Sequence, residues 1–412
     1  MTFDDRFLFD PNDENLWKTG SIADWYKGND MFEMEHPGLF AQTHPWFVAN
    51  KLFAETMVKA NSELVSSILG ALFTWKTCTV DQLRAGLSIK GAPAFERDEP
   101  NLYGAMNRLG IINVGFSQAE RLYGQTVNHV WLSPSNSPRL INRAMKLYGM
   151  EKWMRETMAV SYYAGNRFHV RHNTYAAHAG LMLARDSRVK FSSGDGWGKF
   201  RSVDPQAVAE SKVGKACATD VVTLCRNNVL AGIEIQTSNS ELDKKMQNWA
   251  KMLAYSPMKR RGLICVWLQI PKANEGYESF NAVAQRTQGM TEMVVGNPTV
   301  SQRMGIAVWD EWFEHGMPTD RFGDYTDMSG TRRNIFSDEW AQYTPQVRDV
   351  RKVSEWGLGR DARHHKEGFG GWDVFRLDNA GSVPWRFLRF HWKGLRWSPL
   401  RNHSNRRRTR WM

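Results

Sequence analysis

Two acidic residues, Asp220 and Glu234, sit where the chain reads as two consecutive strands, and they have the spacing of a pair that could work together. Asp220 leads the apolar run Val221-Val-Thr-Leu, a turn at Arg226-Asn227-Asn228 interrupts it, and Val229-Leu-Ala-Gly-Ile-Glu-Ile-Gln236 follows. Side chains alternate across a strand, so Glu234 and Gln236 share one face while Ile233 and Ile235 turn toward the core. Two carboxylates on neighbouring strands could each give one oxygen to a Mg²⁺-type ion, which keeps its waters for a phosphate and an attacking hydroxide. A lysine would then neutralise the charge that develops on the phosphate, and Lys244 or Lys245 from the next helix is placed for that. The same acids also fit a solvated strand end or a helix-cap partner, and that reading stays open beside the first.

The elements that must hold these residues are legible around them. Ser240 to Tyr255 carries Leu242, Met246, Trp249 and Leu253 at helical steps, which predicts a helix with one buried stripe. Gly262 to Ile270 is an almost unbroken apolar run, suited to a parallel strand covered on both faces. Together they predict a strand, helix, strand unit with a right-handed crossover. Upstream, Pro138 to Ala184 reads as helices, the second opening near Arg171-His172-Asn173, and Val189–Phe191 and Phe200–Val203 read as strands entering the sheet. Downstream, Phe280 to Gln288 reads as a helix and Met304 to Trp309 as a last core strand. A lone histidine such as His172 is more commonly a cap or a core residue than a ligand.

Ser62 to Ser133 has the pattern of a helix-turn-helix with a wing. A first helix carries Leu64, Ile68, Leu69, Leu72 and Phe73, and a second begins at the N-cap Thr79 with Val80, Leu83 and Leu87 inward. A third follows Asp98-Glu99-Pro100, buries Leu102, Met106 and Leu109, and ends at Gly110. That leaves Asn101, Tyr103, Asn107 and Arg108 facing outward for groove or phosphate contact. Ile111–Val114 and Val130–Leu132 would pair as the wing, with Arg121 in its loop as a further DNA contact. The alternative is a winged helix that serves as a protein platform or packing unit.

The Asp220, Glu-x-Gln pattern resembles the PD-(D/E)xK nuclease superfamily. With the winged-helix segment in front, residues 60 to 310 more closely resemble the replication-relaxation family of actinobacterial plasmids and phages. Thr219 stands where the signature usually has proline, and Gln236 where it usually has the catalytic lysine. The resemblance implies Mg²⁺ held by Asp220 and Glu234, a water positioned by Gln236, and Lys244 or Lys245 at the scissile phosphate. His172 resembles a histidine that opens the corresponding helix in that family.

Composition sets outer limits. At 412 residues the chain is long enough for two or three domains, and its 42% hydrophobic content supplies a core. No apolar run reaches the ~18–20 residues of a membrane span, and the N-terminus lacks the features of a secretory signal. Cys78, Cys217, Cys225 and Cys265 form no CxxC pair, so they read as buried thiols in a reducing compartment. The net charge of +11 points to an anionic partner, with nucleic acid first. Much of the excess lies between Gly381 and Met412, where nine basic residues and no acidic one occur. Among them Arg406, Arg407, Arg408 and Arg410 cluster beyond an aromatic and basic stretch, Trp385 to Trp397, that could stack bases, dock on a protein or lie on a membrane surface. Residues 1–55, acidic and aromatic, could wrap the body or dock on a partner.

The resulting expectation is an α/β protein in four parts. An N-terminal arm (1–55) precedes a winged helix-turn-helix (56–135), a mixed-sheet PD-(D/E)xK nuclease-like domain (136–316) and an irregular Trp- and Arg-rich extension (317–412). The leading reading is a DNA-binding protein of a plasmid or phage, acting in replication, relaxation or processing of DNA in a bacterial cytoplasm or a virion. Whether it cleaves with Mg²⁺ stays open. A catalytically inactive nuclease fold with a structural or assembly role, its arms making protein contacts, and a winged-helix transcriptional regulator are the alternatives.

Overall fold

Prolines, glycines and polar pairs break the N-terminal part of the chain every few residues, and its elements are correspondingly short. This computed structural model describes residues 7–17, 23–86, 92–118, 122, 129–135, 137–147, 169–194, 219–227, 229–237, 242–254, 263–271 and 296–342. All belong to the first of the two units into which the chain divides, Met1–Leu377 and Asp378–Met412. Helix α1 (Glu14–Trp17), strand β1 (Ala23–Tyr26) and helices α2 (Gly28–Glu33), α3 (Pro37–Thr43) and α4 (Lys51–Ala60) precede the longer α5 (Ser62–Trp75). Then come β2 (Cys78–Thr79), α6 (Val80–Gly86), α7 (Leu102–Arg108), β3 (Ile112–Ser117) and β4 (Trp131–Pro134).

Local chemistry explains the helix starts. The Gln82 amide donates to Thr79 Oγ1 and the Thr79 amide to Gln82 Oε1, both at 3.0 Å, a reciprocal cap that satisfies two orphan donors of α6. Asn101 Oδ1 accepts from the Gly104 amide at 2.9 Å and so caps α7. The strands form one antiparallel sheet in the order β1-β3-β4-β2, with Val114 opposite Leu132. The described part of the N-terminal arm packs on its own chain, with β1 forming the edge of this sheet and Trp46 and Phe47 buried.

Helices α8 (Pro138–Leu147) and α9 (Val170–Arg185) lead into β5 (Val189–Gly194), β6 (Val221–Cys225), β7 (Leu230–Gln236), α10 (Leu242–Ala254) and β8 (Leu263–Gln269). Helix α11 (Pro298–Ser301), β9 (Met304–Val308), α12 (Trp309–Trp312), β10 (Phe313–Glu314), β11 (Met317–Pro318), β12 (Asp324–Asp327) and β13 (Arg332–Asn334) follow, with a 3-10 turn at Asp338–Gln342. Strands β5 to β9 with β12 and β13 make a seven-stranded mixed sheet in the order β13-β12-β9-β8-β7-β6-β5. Strands β7, β8 and β9 run parallel, and the remaining neighbours are antiparallel. Leu242, Met246, Trp249 and Leu253 of α10 are all buried, and so is every residue of β8. Each such large side chain contributes roughly 2–3 kcal/mol by leaving water.

The sheet extends past the expected boundary at residue 316. Residues 317–342 are not irregular: β12 pairs with β9, Thr326 opposite Ile306, and β13 pairs with β12. Ion pairs replace apolar alternation there, Arg332 to Asp324 at 2.9 Å and Arg333 to Asp327 at 2.6 Å. Consequently β9 is interior to the sheet. The expected elements Phe200–Val203 and Phe280–Gln288, and residues 343–412, lie outside the described residues. Among the described residues, no helix is long and apolar enough to cross a membrane.

Candidate functional site

Asp220 immediately precedes β6. The regular pairing of β6 with β7 ends at Val221 opposite Ile233, and Asp220, one residue beyond it, lies close enough to Glu234 on β7 for its charge to be felt there. The Asp220 amide donates to the Ile233 carbonyl at 3.1 Å, and its carboxylate accepts from the Ile235 amide at 2.8 Å. Thr219 packs over the neighbouring strand: a Cβ at Gly232 would meet Thr219 Cγ2 at 2.4 Å. Thr219 therefore fills the notch that a glycine leaves.

The same Asp220 oxygen, Oδ2, lies 3.1 Å from Nε2 of His172, in the first turn of α9. Both side chains are partly buried, at 20% and 15% exposure. Burial opposes the charged form of each, yet their mutual attraction and hydrogen bond prevail. His172 is raised above an ordinary histidine and Asp220 is held low, with Lys76 and the Ile235 amide adding to the latter. Glu234 behaves oppositely. It is 6% exposed and faces an anion, so burial first and Asp220 second push it far above the usual carboxylate range. Trp249 Nε1 donates to Glu234 Oε1 at 3.2 Å and, with Lys245 and His172, offsets part of that shift. The two carboxylates are thus pushed in opposite directions, Asp220 toward its ionised form and Glu234 toward its protonated one.

Lys245 lies one helical turn before Trp249, on the stripe of α10 that faces Glu234, and its charge is felt there and at His169. Lys244, also exposed, projects from α10 about 100° around the axis. Gln236, 8% exposed, pairs in register with Gln269 on β8, and the two share the face that carries Glu234. Gln269 is 3% exposed, with neither amide atom hydrogen-bonded to protein. Arg171 links α9 to the end of this strand, its guanidinium donating to the Pro271 carbonyl at 2.5 Å. Three participants escaped the sequence reading: Lys76, His169 and Gln269. No local spacing marks them, since each reaches the site from an element that only the tertiary fold brings close.

The third helix of the N-terminal module needs correction. Asn101, Tyr103, Asn107 and Arg108, expected to face outward, are 8%, 0%, 0% and 6% exposed. Residues 26–49 reach Asn107 and Arg108, and residues 93–96 reach Asn101 and Tyr103. Asn107 Nδ2 donates to the carbonyls of Tyr26 and Ile112 at 2.8 and 3.0 Å. Arg108 donates to the carbonyls of Met31, Phe32 and Ala49, and the Tyr103 hydroxyl donates to Pro93 O at 2.9 Å. Arg121, Arg406, Arg407, Arg408 and Arg410 lie outside the described residues.

Among the described residues, no group of three or more His, Cys, Asp or Glu side chains is arranged to hold a metal ion. That excludes from these residues a donor set of the zinc kind. A Mg²⁺-type ion asks for less, one or two carboxylates with waters and phosphate oxygens completing its shell. Asp220 and Glu234 fit that demand, because the protein N–H donors engage Asp220 through Oδ2 and Glu234 through Oε1. A divalent cation would also oppose the burial and the repulsion that raise Glu234.

Comparison with protein-family models, with curated proteins and with solved structures returns no match for this chain.

Proposed function

We propose that this chain engages a nucleic-acid backbone at the Asp220–Glu234 site and hydrolyses a phosphodiester bond there with a Mg²⁺-type ion. The observation that carries the reading is the placement of Asp220 at the head of β6, bonded to the β7 backbone on both sides of Glu234 and acting on its charge, at the switch from antiparallel to parallel pairing. The succession α9, β5, β6, β7, α10, β8 supports a nuclease-like core of the PD-(D/E)xK kind. The order of α5, β2, α6, α7, β3 and β4 supports a winged-helix module in front of it. Asp220 and Glu234 would hold the ion, which when bound supplies an ionised water and neutralises phosphate charge. His172 fixes the orientation of Asp220 through Nε2, Lys245 draws the anionic backbone toward Glu234, and Gln236 offers an amide to orient the water. By its resemblance to the replication-relaxation family, the substrate would be plasmid or phage DNA undergoing replication or relaxation, in a bacterial cytoplasm or a virion.

One observation favours a second reading. Gln236 is uncharged at the position where the signature has lysine, as in a nuclease fold that has kept its shape and lost its reaction. Nicking of supercoiled plasmid decides between them. Active protein should convert supercoiled to open circles with Mg²⁺ and not with EDTA, and Asp220→Ala and Glu234→Gln should each abolish conversion. Binding without conversion under all divalent cations would leave the inactive reading. The regulator reading loses its support, because the helix it depends on is covered.

A further inference from the structure

Lys76 lies at the joint between the N-terminal module and α9, in a backbone conformation that lysine rarely adopts. Its φ of 66° and ψ of −50°, with the Thr77 amide donating to the Trp75 carbonyl at 2.7 Å, define a γ-turn of the rare positive-φ kind. A Cβ is strained there, and glycine or asparagine is the usual occupant of positive φ. Such strain persists only where the surroundings impose it, and it clusters at functional positions.

Here both neighbours are clamped. Trp75 is buried with its ring against α9, where a Cβ at Gly180 would come within 2.0 Å of it. Thr77 is buried as well, and its Oγ1 accepts from Asn173 Nδ2 at 3.3 Å. Asn173 follows His172, the residue bonded to Asp220. The strained turn is therefore held against the first turn of α9, the turn that carries His172 and, through it, Asp220. Its positive charge acts on Asp220, His172 and His169. Lys245 acts on Glu234 from α10, so the two lysines approach the pair from different elements.

We propose that Lys76 is the phosphate-contacting cation of this site, contributed by the N-terminal module in place of the lysine absent at position 236. The proposal rests on the phosphodiester reading above, and it assigns the module a part in the chemistry. It also accounts for lysine where glycine would relax the turn: the ammonium has to be there, and the strain is tolerated to hold it.

The test uses the full chain, supercoiled plasmid and Mg²⁺, with nicking rates and melting temperatures for Lys76→Gln, Lys76→Arg, Lys76→Gly and Asp220→Ala. Lys76→Gln and Lys76→Gly should each lose nicking about a hundredfold, the scale for removing one group that stabilises developing charge. Lys76→Arg should recover to within about tenfold of the parent, because charge is kept while shape is not. Lys76→Gly should melt above Lys76→Gln, since both lack the ammonium and only glycine relaxes the turn. A structural role alone would couple rate to melting temperature, so a more stable and equally inactive glycine variant supports the proposal. Parental rate in Lys76→Gln, with nicking abolished in Asp220→Ala, overturns Lys76 and leaves the carboxylate reading standing. A parent that does not nick overturns both, and Lys76→Gly melting below Lys76→Gln overturns the strain on which the proposal depends.

Discussion

His178 gives the fold a pH dependence whose size follows from its surroundings. It lies in α9 with no solvent exposure, and its Nε2 donates to the Gly316 carbonyl at 2.7 Å. The other nitrogen, Nδ1, is buried with no hydrogen-bond partner among the described residues, and the rings of Phe9, Trp309 and Phe313 lie around the imidazole. A second proton would have to enter at Nδ1, as a buried and unpaired charge. Burial accordingly lowers its pKa from 6.5 to about 4, with Arg185 adding to the shift against the Gly316 bond. As pH falls below 6.5 the unfolded chain takes up this proton and the folded chain does not, so stability is lost until the folded group also titrates near 4. At about 1.4 kcal/mol per pK unit the full loss is about 3 kcal/mol, of which about 2 kcal/mol develops between pH 8 and pH 5. His178→Gln keeps a donor for Gly316 and removes the titration. Urea unfolding of parent and variant at both pH values should therefore show the parent losing about 2 kcal/mol more than the variant on acidification. Parallel losses would refute the reasoning, because every other titrating group is common to both proteins.

Three further outcomes follow from packing. Gly104→Ala would drive a Cβ to within 2.0 Å of the Trp46 carbonyl oxygen, and should cost about 1–3 kcal/mol in urea unfolding; an unchanged midpoint would mean the arm does not seat on α7. Arg303, with no exposed surface, donates to the carbonyls of Thr299, Leu263 and Leu253 at 2.6, 3.3 and 2.6 Å. Arg303→Met should cost about 3 kcal/mol by orphaning them, and Arg303→Lys should not recover it, since an ammonium lacks the planar fork. Arg108→Ala should lower the melting temperature and leave the salt dependence of nucleic-acid binding unchanged, whereas a phosphate contact would reduce the log–log slope by about 0.9.

How far the sequence could be read depended on whether neighbours in space were also neighbours along the chain. The stripe Leu242, Met246, Trp249, Leu253 and the apolar run of β8 were legible because their periods are intrinsic to one element, and the structure buries all of them. The antiparallel pairing of β6 with β7 was legible for a similar reason: a short turn joins the two apolar strands. Strands β12 and β13 were not, since Asp324, Asp327, Arg332 and Arg333 stabilise them by ion pairs and leave no apolar alternation. Helix α7 misled in another way. Its apolar stripe marks one buried face, but periodicity says nothing of a second cover, and carbonyls of residues 26 to 49 accept from Asn107 and Arg108. Lys76 carries no signal at all, for a γ-turn has no spacing and the residue's partners lie about a hundred positions away.

The burial of α7 changes what the N-terminal module can be for. A helix that reads a groove must offer one side to solvent, and every residue from Leu102 to Arg108 is buried. The module's hydrogen bonds to α9 fall on one short stretch: Gln82 Nε2 donates to the Thr174 carbonyl at 2.8 Å, Trp131 Nε1 to Thr174 Oγ1 at 3.1 Å, and Asn173 Nδ2 to Thr77 Oγ1 at 3.3 Å. Asn173 and Thr174 follow His172, so these contacts hold the helical turn that presents the imidazole to Asp220. The arm stiffens α7, the sheet and α6 behind that turn. The module is thereby built as a brace for the helical turn that holds His172 against Asp220.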